Sequence, residues 1–216
     1  MDFRPKNLIF DFDGVLVDSE FLASQAEVKI KTKHGLKITL EEQIQKFTGC
    51  SITHPDVLEE LKRLPADFMD QVDAYLKNLY IAELKPIVGV TETLEKLTLP
   101  KAVASMSLRD SLHWKLKHTR LEKYFHMDHL FSGDMVKNPK PAPDIYRLVL
   151  KNLNWKSDQT LVIEDSEHGT RAAKSAGLRV CGFLGGKHIL PGHDQKLKRA
   201  GADFLISEMK QLLERV

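Results

Sequence analysis

The sequence lacks the features that mark secreted, membrane-spanning or nucleic-acid-binding proteins. Its two cysteines, Cys50 and Cys181, lie far apart without the spacing of a metal site, and we therefore expect reduced thiols in a cytoplasmic protein. No apolar run approaches the length of a membrane span, and the first residues carry no apolar segment typical of a signal peptide. The formal net charge of +2 gives no electrostatic reason to expect a nucleic-acid partner.

The composition is otherwise ordinary for a soluble globular protein. The chain has 216 residues, of which 42% are hydrophobic and 29% are charged. This length accommodates one full α/β domain with a small insertion. No internal repeat or disordered tail is evident, and we expect a monomer or a weak dimer without a membrane partner.

The strongest chemical signal follows the first apolar run, Asn7–Phe10, which predicts a buried strand. Asp11 and Asp13 come next, and both point to the same side if the strand continues that far. Gly14 then permits a sharp turn. Two close carboxylates repel each other unless a cation lies between them or one is protonated. Mg²⁺ suits such a pair, with one Asp attacking phosphorus and the other handling the proton. The alternative is a polar turn that only ends the strand.

The region 19–84 indicates a succession of helices with no strand between them. Thr39 and Glu42 have the spacing of a capping box. Gly49 breaks the helical pattern within Thr48–Ser51. This break is interpreted as a loop that helps to select the substrate, or as a plain connection in which glycine supplies an unusual φ. Apolar residues recur at helical spacing in 21–34, 44–47, 57–64 and 68–79.

After Pro86 strands alternate with helices, which predicts a doubly wound parallel sheet. Ser105 ends one predicted strand, with Ser107 just behind it, and Glu164 and Asp165 follow another. Open α/β sheets bind ligands at such carboxyl ends. Taken alone, a serine there is usually a helix cap, and an acidic pair can simply favour a helix N-terminus. The predicted strands are 101–105, 160–163, 179–184 and 204–207.

Three further features contain groups that bind anions or metals. Lys140 lies between two prolines on a stiff loop, which can hold its ammonium beside a carboxylate and a phosphate, whereas Lys137 is expected to be exposed. His126 and His129 lack a third ligand in register, which favours surface or partly buried histidines. The loop 185–193 is interpreted as a surface connection, and its Lys187 and His188 are left out of the predicted site.

Four segments together resemble the motifs of the haloacid dehalogenase superfamily, in its phosphatase and phosphomutase branch. True dehalogenases of that family lack the second Asp, so its presence favours phosphoryl transfer. Met106 departs from the small or amide residue usual at its position, and Pro139 replaces a more usual glycine. The four segments are Asp11–Glu20, Ser105 with Ser107, Lys140–Asp144 and Ile163–Ala173.

The resemblance implies a role for each motif residue. Asp11 is the nucleophile that becomes an aspartyl phosphate, and Asp13 is the general acid and base. Ser105 binds a phosphoryl oxygen, and Lys140 is the cation of the third motif. Substrate binding is assigned to Gly14, Ser107 and Gly49. The expected cofactor is Mg²⁺, held by Asp11, the backbone carbonyl of Asp13, Asp165 and, directly or through water, Glu164.

The fold expected from this resemblance is a Rossmann-like core of residues 1–18 and 85–216, with a helical cap of residues 19–84. The expected function is Mg²⁺-dependent hydrolysis of a small phosphorylated metabolite. A β-phosphoglucomutase-like phosphomutase is the first alternative. It needs a second cationic group to bind a bisphosphate, and residues 48–61 contain no Lys or Arg. A non-catalytic binding protein is the second alternative, although such a protein is expected to have lost a motif residue.

Overall fold

A computed structural model describes residues 3–47 and 55–216. Its six strands, all parallel, are β1 (Asn7–Phe10), β2 (Lys101–Ala104), β3 (Leu130–Phe131), β4 (Thr160–Glu164), β5 (Arg179–Phe183) and β6 (Phe204–Ile206). They form one sheet in the order β3-β2-β1-β4-β5-β6. The order reverses between β1 and β4, and open sheets of this kind bind ligands at that switch point. The predicted Rossmann-like α/β fold is confirmed.

The strand register brings the predicted site residues to one edge of the sheet. Phe10 pairs with Val103 of β2 on one side and with Ile163 of β4 on the other. The residues that follow these three strands therefore emerge side by side. This edge receives Asp11, Ser105 and the acidic pair after Ile163.

Helices cover both faces of the sheet. Side chains alternate along β1, so that Leu8 and Phe10 join one apolar cluster and Ile9 joins the other. This alternation buries both faces, as a parallel sheet requires. The helices over and beside the sheet are α5 (Val90–Lys96), α6 (Arg109–His118), α7 (Asp144–Leu153), α8 (Glu167–Ser175) and α9 (His193–Ala200).

Four further helices lie between β1 and α5 in the chain, and two of them share a third apolar cluster. Ala26 and Ile30 pack there against Phe68 and Val72. The predicted capping box is confirmed, because the Thr39 N–H donates to Glu42 Oε2 at 2.8 Å and the Glu42 N–H donates to Thr39 Oγ1 at 3.1 Å. These helices are α1 (Ser19–Lys33), α2 (Leu40–Phe47), α3 (Pro55–Leu61) and α4 (Phe68–Glu83).

The structure corrects the predicted extension of the first strand. The first strand stops at Phe10, and the chain then turns back on itself, with the Gly14 N–H donating to Val17 O at 2.8 Å. Asp13 therefore lies in a turn and not on an extension of β1; Gly14 has a φ of +84°, as a sharp turn requires. A 3₁₀ helix, Met209–Glu214, follows β6. In the described ranges, no helix is long and apolar enough to cross a membrane.

Candidate active site

Asp11 and Lys140 form a buried ion pair at the carboxyl end of β1. The Asp11 N–H donates to Ile163 O at 2.9 Å, which fixes its backbone against β4. Lys140 Nζ donates to Asp11 Oδ1 at 2.6 Å, to Glu164 Oε1 at 2.7 Å and to Ala104 O at 3.1 Å. The ammonium thus links β1, β2 and β4. Lys137 is exposed, as predicted.

Glu164 is fully buried, and both of its carboxylate oxygens have protein partners. Oε1 accepts hydrogen bonds from Lys140 and from the Tyr146 hydroxyl at 3.1 Å. Oε2 accepts from the Ser166 N–H and hydroxyl, each at 2.9 Å. A Cβ on Gly169 would come within 1.6 Å of Oε1, so only glycine lets α8 lie this close. A metal bound directly by Glu164 would have to displace one of these donors.

Asp165 is held by two histidines that follow β5, His188 in the loop and His193 at the start of α9. His188 is 3% exposed, and its Nε2 lies 2.7 Å from Asp165 Oδ2. His193 Nε2 lies 2.5 Å from the Asp165 carbonyl oxygen. A Cβ on Gly14 would come within 2.2 Å of Asp165 Oδ2, so glycine also permits the close approach of the first turn.

The interpretation of the loop 185–193 as a surface connection is therefore wrong for His188. Lys187 is exposed, but the next residue turns inward beneath Gly14 and Gly186. The position of this loop directly after a strand, at the ligand-binding edge of the sheet, was the available signal. Burial lowers the pKa of His188. A neutral ring can donate from Nε2 to the ionised carboxylate of Asp165.

Among the described residues, four side chains donate hydrogen bonds to Asp13. Oδ1 accepts from the Ser19 hydroxyl at 2.6 Å and from the ammonium of Lys115. Oδ2 accepts from the hydroxyls of Ser105 at 2.9 Å and Ser107 at 2.7 Å. Both predicted serines therefore reach the site, where their hydroxyls bind Asp13. Lys115 lies outside the four motif segments of the sequence.

The pKa values of the three aspartates shift differently: those of Asp11 and Asp165 are raised, and that of Asp13 is lowered. Burial, Glu164 and Asp13 raise the pKa of Asp11 well above its ordinary value, against the lowering effect of Lys140. Burial and the charge of Glu164 do the same for Asp165. Burial would also raise the pKa of Asp13, but Lys115 and its hydroxyl donors more than offset this and lower that pKa to about 2. The positive charge around Asp11 and Asp165 is therefore too small to offset the effect of burial on these two carboxyl groups.

These residues fit a divalent cation that keeps part of its coordination for phosphate and water. In the described part of the chain, no three His, Cys, Asp or Glu side chains are arranged to hold a metal ion. A site at this edge would instead use the carboxylates of Asp11 and Asp165 with the backbone carbonyl of Asp13. Mg²⁺ commonly binds through one or two carboxylates in this way. A cation here would also favour the ionised form of two carboxyl groups whose pKa values burial raises.

The remaining predicted residues lie apart from these contacts. Gly49 lies outside the described residues. His129 Nδ1 is bonded to Lys101 O at 2.9 Å, and His126 is exposed beside Asp128. Glu20, at the start of α1, is partly buried, and burial together with Asp13 and Asp165 raises its pKa to about 7. Glu20 is therefore only partly ionised near neutral pH.

Comparisons with known proteins agree with this geometry. Residues 8–183 match the family described as haloacid dehalogenase-like hydrolases. The phosphorylated carbohydrates phosphatase of Thermotoga maritima is 36% identical over 211 residues, covering 92% of this chain and 93% of that protein. A haloacid dehalogenase-like protein from Agrobacterium tumefaciens has a similar structure, with a TM-score of 0.89, 34% identity and coverage of 97% and 96% of the two chains. A putative β-phosphoglucomutase from Thermotoga maritima gives a TM-score of 0.78 at 33% identity, with coverage of 98% and 99%.

Proposed function

The chain belongs to the haloacid dehalogenase-like hydrolases, and from that membership we propose that it is a phosphatase that hydrolyses a small phosphorylated carbohydrate through an aspartyl phosphate on Asp11. The observation that carries this proposal is the buried pair of Asp11 and Lys140 at the switch point of the sheet. A carboxylate held there by a cation is placed to attack a phosphate that enters from the open edge.

The core residues have complementary roles in this reaction. Asp11 attacks phosphorus, and the leaving oxygen departs on the opposite side. Lys140 neutralises negative charge on the nucleophile and on the transferred group. The Ser105 hydroxyl, now bonded to Asp13, turns to a phosphoryl oxygen when substrate is present. When bound, Mg²⁺ supplies positive charge that lets the anionic nucleophile and the anionic phosphate approach, with Asp11, Asp165 and the carbonyl of Asp13 as its protein ligands.

Asp13 transfers a proton in both steps of the reaction: it donates one to the leaving group, and it later accepts one from the attacking water. In the substrate-free arrangement its lowered pKa keeps it ionised, the form that accepts a proton from the attacking water. Ser105 and Ser107, which now donate to it, are the hydroxyls we assign to phosphate binding. A bound phosphate that recruits them removes two donors that favour the charged form. Protonation of Asp13, and hence donation to the leaving group, then becomes easier.

We assign residues 1–18 and 85–216 to the catalytic core and residues 19–84 to a cap that closes over it. The apolar cluster that α1 and α4 share supports this division. Closure would exclude bulk water while Asp11 is attacking. Substrate contacts are assigned to Gly14, Ser107 and Gly49, the last of which lies outside the described residues.

A phosphomutase is the second candidate, supported by the similarity to the putative β-phosphoglucomutase. Product analysis separates the two. We expect the protein, given hexose 1-phosphates with a trace of hexose bisphosphate, to release inorganic phosphate and to form little hexose 6-phosphate. Isomerised sugar phosphate that appears faster than free phosphate would establish the mutase instead. A panel of phosphorylated carbohydrates at one Mg²⁺ concentration then ranks the substrates.

A further inference from the structure

Lys115 is a buried lysine that no motif explains. It lies in the middle of α6 and is 3% exposed. Its ammonium contacts Asp13 Oδ1, donates to Ser107 Oγ at 2.8 Å, and lies over the rings of Phe12 and Tyr80, at 5.4 Å and 5.8 Å from their centroids. A buried ammonium is costly unless a carboxylate compensates it. In the described residues, Asp13 is the carboxylate with which it forms a salt bridge.

The four donors on Asp13 are divided between its two oxygens. Oδ1 is bound by Lys115 and Ser19, neither of which we assign to phosphate binding. Oδ2 is bound by Ser105 and Ser107, the two hydroxyls that a phosphoryl group would recruit. When phosphate takes these hydroxyls, Oδ2 becomes free, whereas Oδ1 keeps both of its donors. One oxygen is thus anchored while the other is released towards the reacting atoms.

We propose that Lys115 is a positioning residue that anchors Oδ1 of Asp13, so that Oδ2 is the atom that takes the proton from the attacking water. The inference rests on the proposed function, because it assumes an aspartyl phosphate whose hydrolysis Asp13 assists. In that step the water's oxygen bonds to phosphorus, its proton passes to Oδ2, and the bond between phosphorus and the Asp11 oxygen breaks. Lys115 touches neither the phosphate nor the water.

A purely structural role for Lys115 makes a different prediction. An ion pair that only holds α6 against the turn after β1 would affect stability, and its loss would slow both chemical steps to a similar extent. An anchor on Asp13 affects the two steps unequally when the leaving group needs little protonation. The partition between formation and hydrolysis of the aspartyl phosphate therefore distinguishes the two roles.

The test uses p-nitrophenyl phosphate, Mg²⁺ and the full chain, with rapid acid quench to measure phosphorylated protein. Lys115→Met should form the aspartyl phosphate at nearly the wild-type rate but hydrolyse it about ten-fold to a hundred-fold more slowly, the range expected when a hydrogen bond to a charged group is lost. Phosphorylated protein should then accumulate in the steady state. Lys115→Gln, which retains N–H donors but loses the positive charge, should give a smaller accumulation. The control is Lys117→Met, an exposed lysine on the same helix, which should match the wild type.

Each outcome decides the inference. Equal slowing of both steps, wild-type behaviour of Lys115→Met, or failure of both Lys115 variants to fold by circular dichroism would overturn the positioning role. Failure of the proposed function has a separate signature, because it shows in the wild type alone. A wild-type protein that forms no phosphoprotein at Asp11 contradicts the function, whatever the Lys115 variants do.

Discussion

Gly169 lies directly against the carboxylate of Glu164, so closely that a Cβ at residue 169 would come within 1.6 Å of Oε1. The same oxygen accepts the hydrogen bond from Lys140 at 2.7 Å. Lys140 in turn donates to Asp11 at 2.6 Å. Helix α8 therefore packs directly against Glu164, and Glu164 in turn holds the ammonium of Lys140 beside Asp11.

Gly169→Ala should consequently reduce both stability and activity. In an ordinary helix this change gains up to about 1 kcal/mol, but here the added methyl group forces Glu164 to move, and overpacking costs about 1–3 kcal/mol. A displaced Glu164 also shifts Lys140 away from Asp11, so kcat should fall. Denaturant unfolding and steady-state kinetics measure the two effects. Ser175→Ala, at the exposed end of the same helix, is the control, and equal behaviour of the two variants would refute this account of α8.

Lys140→Met should lower kcat by about a hundred-fold or more, which is the usual effect of losing one group that stabilises transition-state charge. It also leaves the carboxylates of Asp11 and Glu164 buried without their cation, which should cost about 3–5 kcal/mol of unfolding free energy. The matched control is the exposed Lys137, three residues earlier. If Lys137→Met impaired turnover as much as Lys140→Met, the assignment of the third motif would be wrong.

The contrast between Lys140 and Lys115 shows what the sequence can predict. Lys140 was found because prolines on both sides mark a stiff loop and because its segment matches a motif. Lys115 occurs in a stretch with Lys117, where a lysine is ordinarily solvated. Only the packing of α6 against the turn after β1 buries one of these lysines and leaves the other exposed. Such a contact joins residues 102 positions apart, and no local pattern encodes it.

The edge of the sheet at which the site lies is also predictable from the sequence. The apolar run Asn7–Phe10 and the β-branched run before Glu164 define buried strands, and parallel strands end at a common edge. The turn after Phe10 was not predicted in detail, because its hydrogen bonds to Val17 depend on backbone geometry and not on side-chain period. The position of the loop 185–193 after a strand places it at this edge, but the sequence does not distinguish a buried histidine in such a loop from a solvated one, so the burial of His188 is not predictable.

His188→Ala should weaken the metal site without unfolding the protein. The ring donates to Asp165 Oδ2, and loss of such a support typically costs about 10–100-fold in metal affinity. The Mg²⁺ concentration for half-maximal activity should rise accordingly, whereas Lys187→Ala, the exposed neighbour, should leave it unchanged. An unchanged Mg²⁺ requirement in His188→Ala would contradict the role of this loop.

EDTA should abolish the activity of the wild-type protein. Ca²⁺ should inhibit it, because Ca²⁺ favours looser, higher coordination than Mg²⁺ does.

Glu20 should make the metal-free protein less stable as the pH rises. Its pKa is raised from 4.5 to about 7, so the folded state holds the proton more tightly than the unfolded state does. As the pH rises through this window the unfolded state loses the proton first, and the free energy of unfolding falls. Glu20→Gln should flatten this decline in EDTA, whereas Glu41→Gln, an exposed change in α2, should retain it. A steeper decline in Glu20→Gln would show that the carboxylate is stabilised in the fold.

The central claim is that Asp11 carries the phosphoryl group, and acid-quench mass spectrometry tests it most directly. Wild-type protein mixed with p-nitrophenyl phosphate and Mg²⁺ should gain one phosphate, and peptide mapping should place it on Asp11. Asp11→Asn should fold normally by circular dichroism, gain no phosphate and show no turnover, because an amide cannot attack phosphorus in this way. Turnover retained by folded Asp11→Asn, or phosphate found on a different residue, would contradict the account.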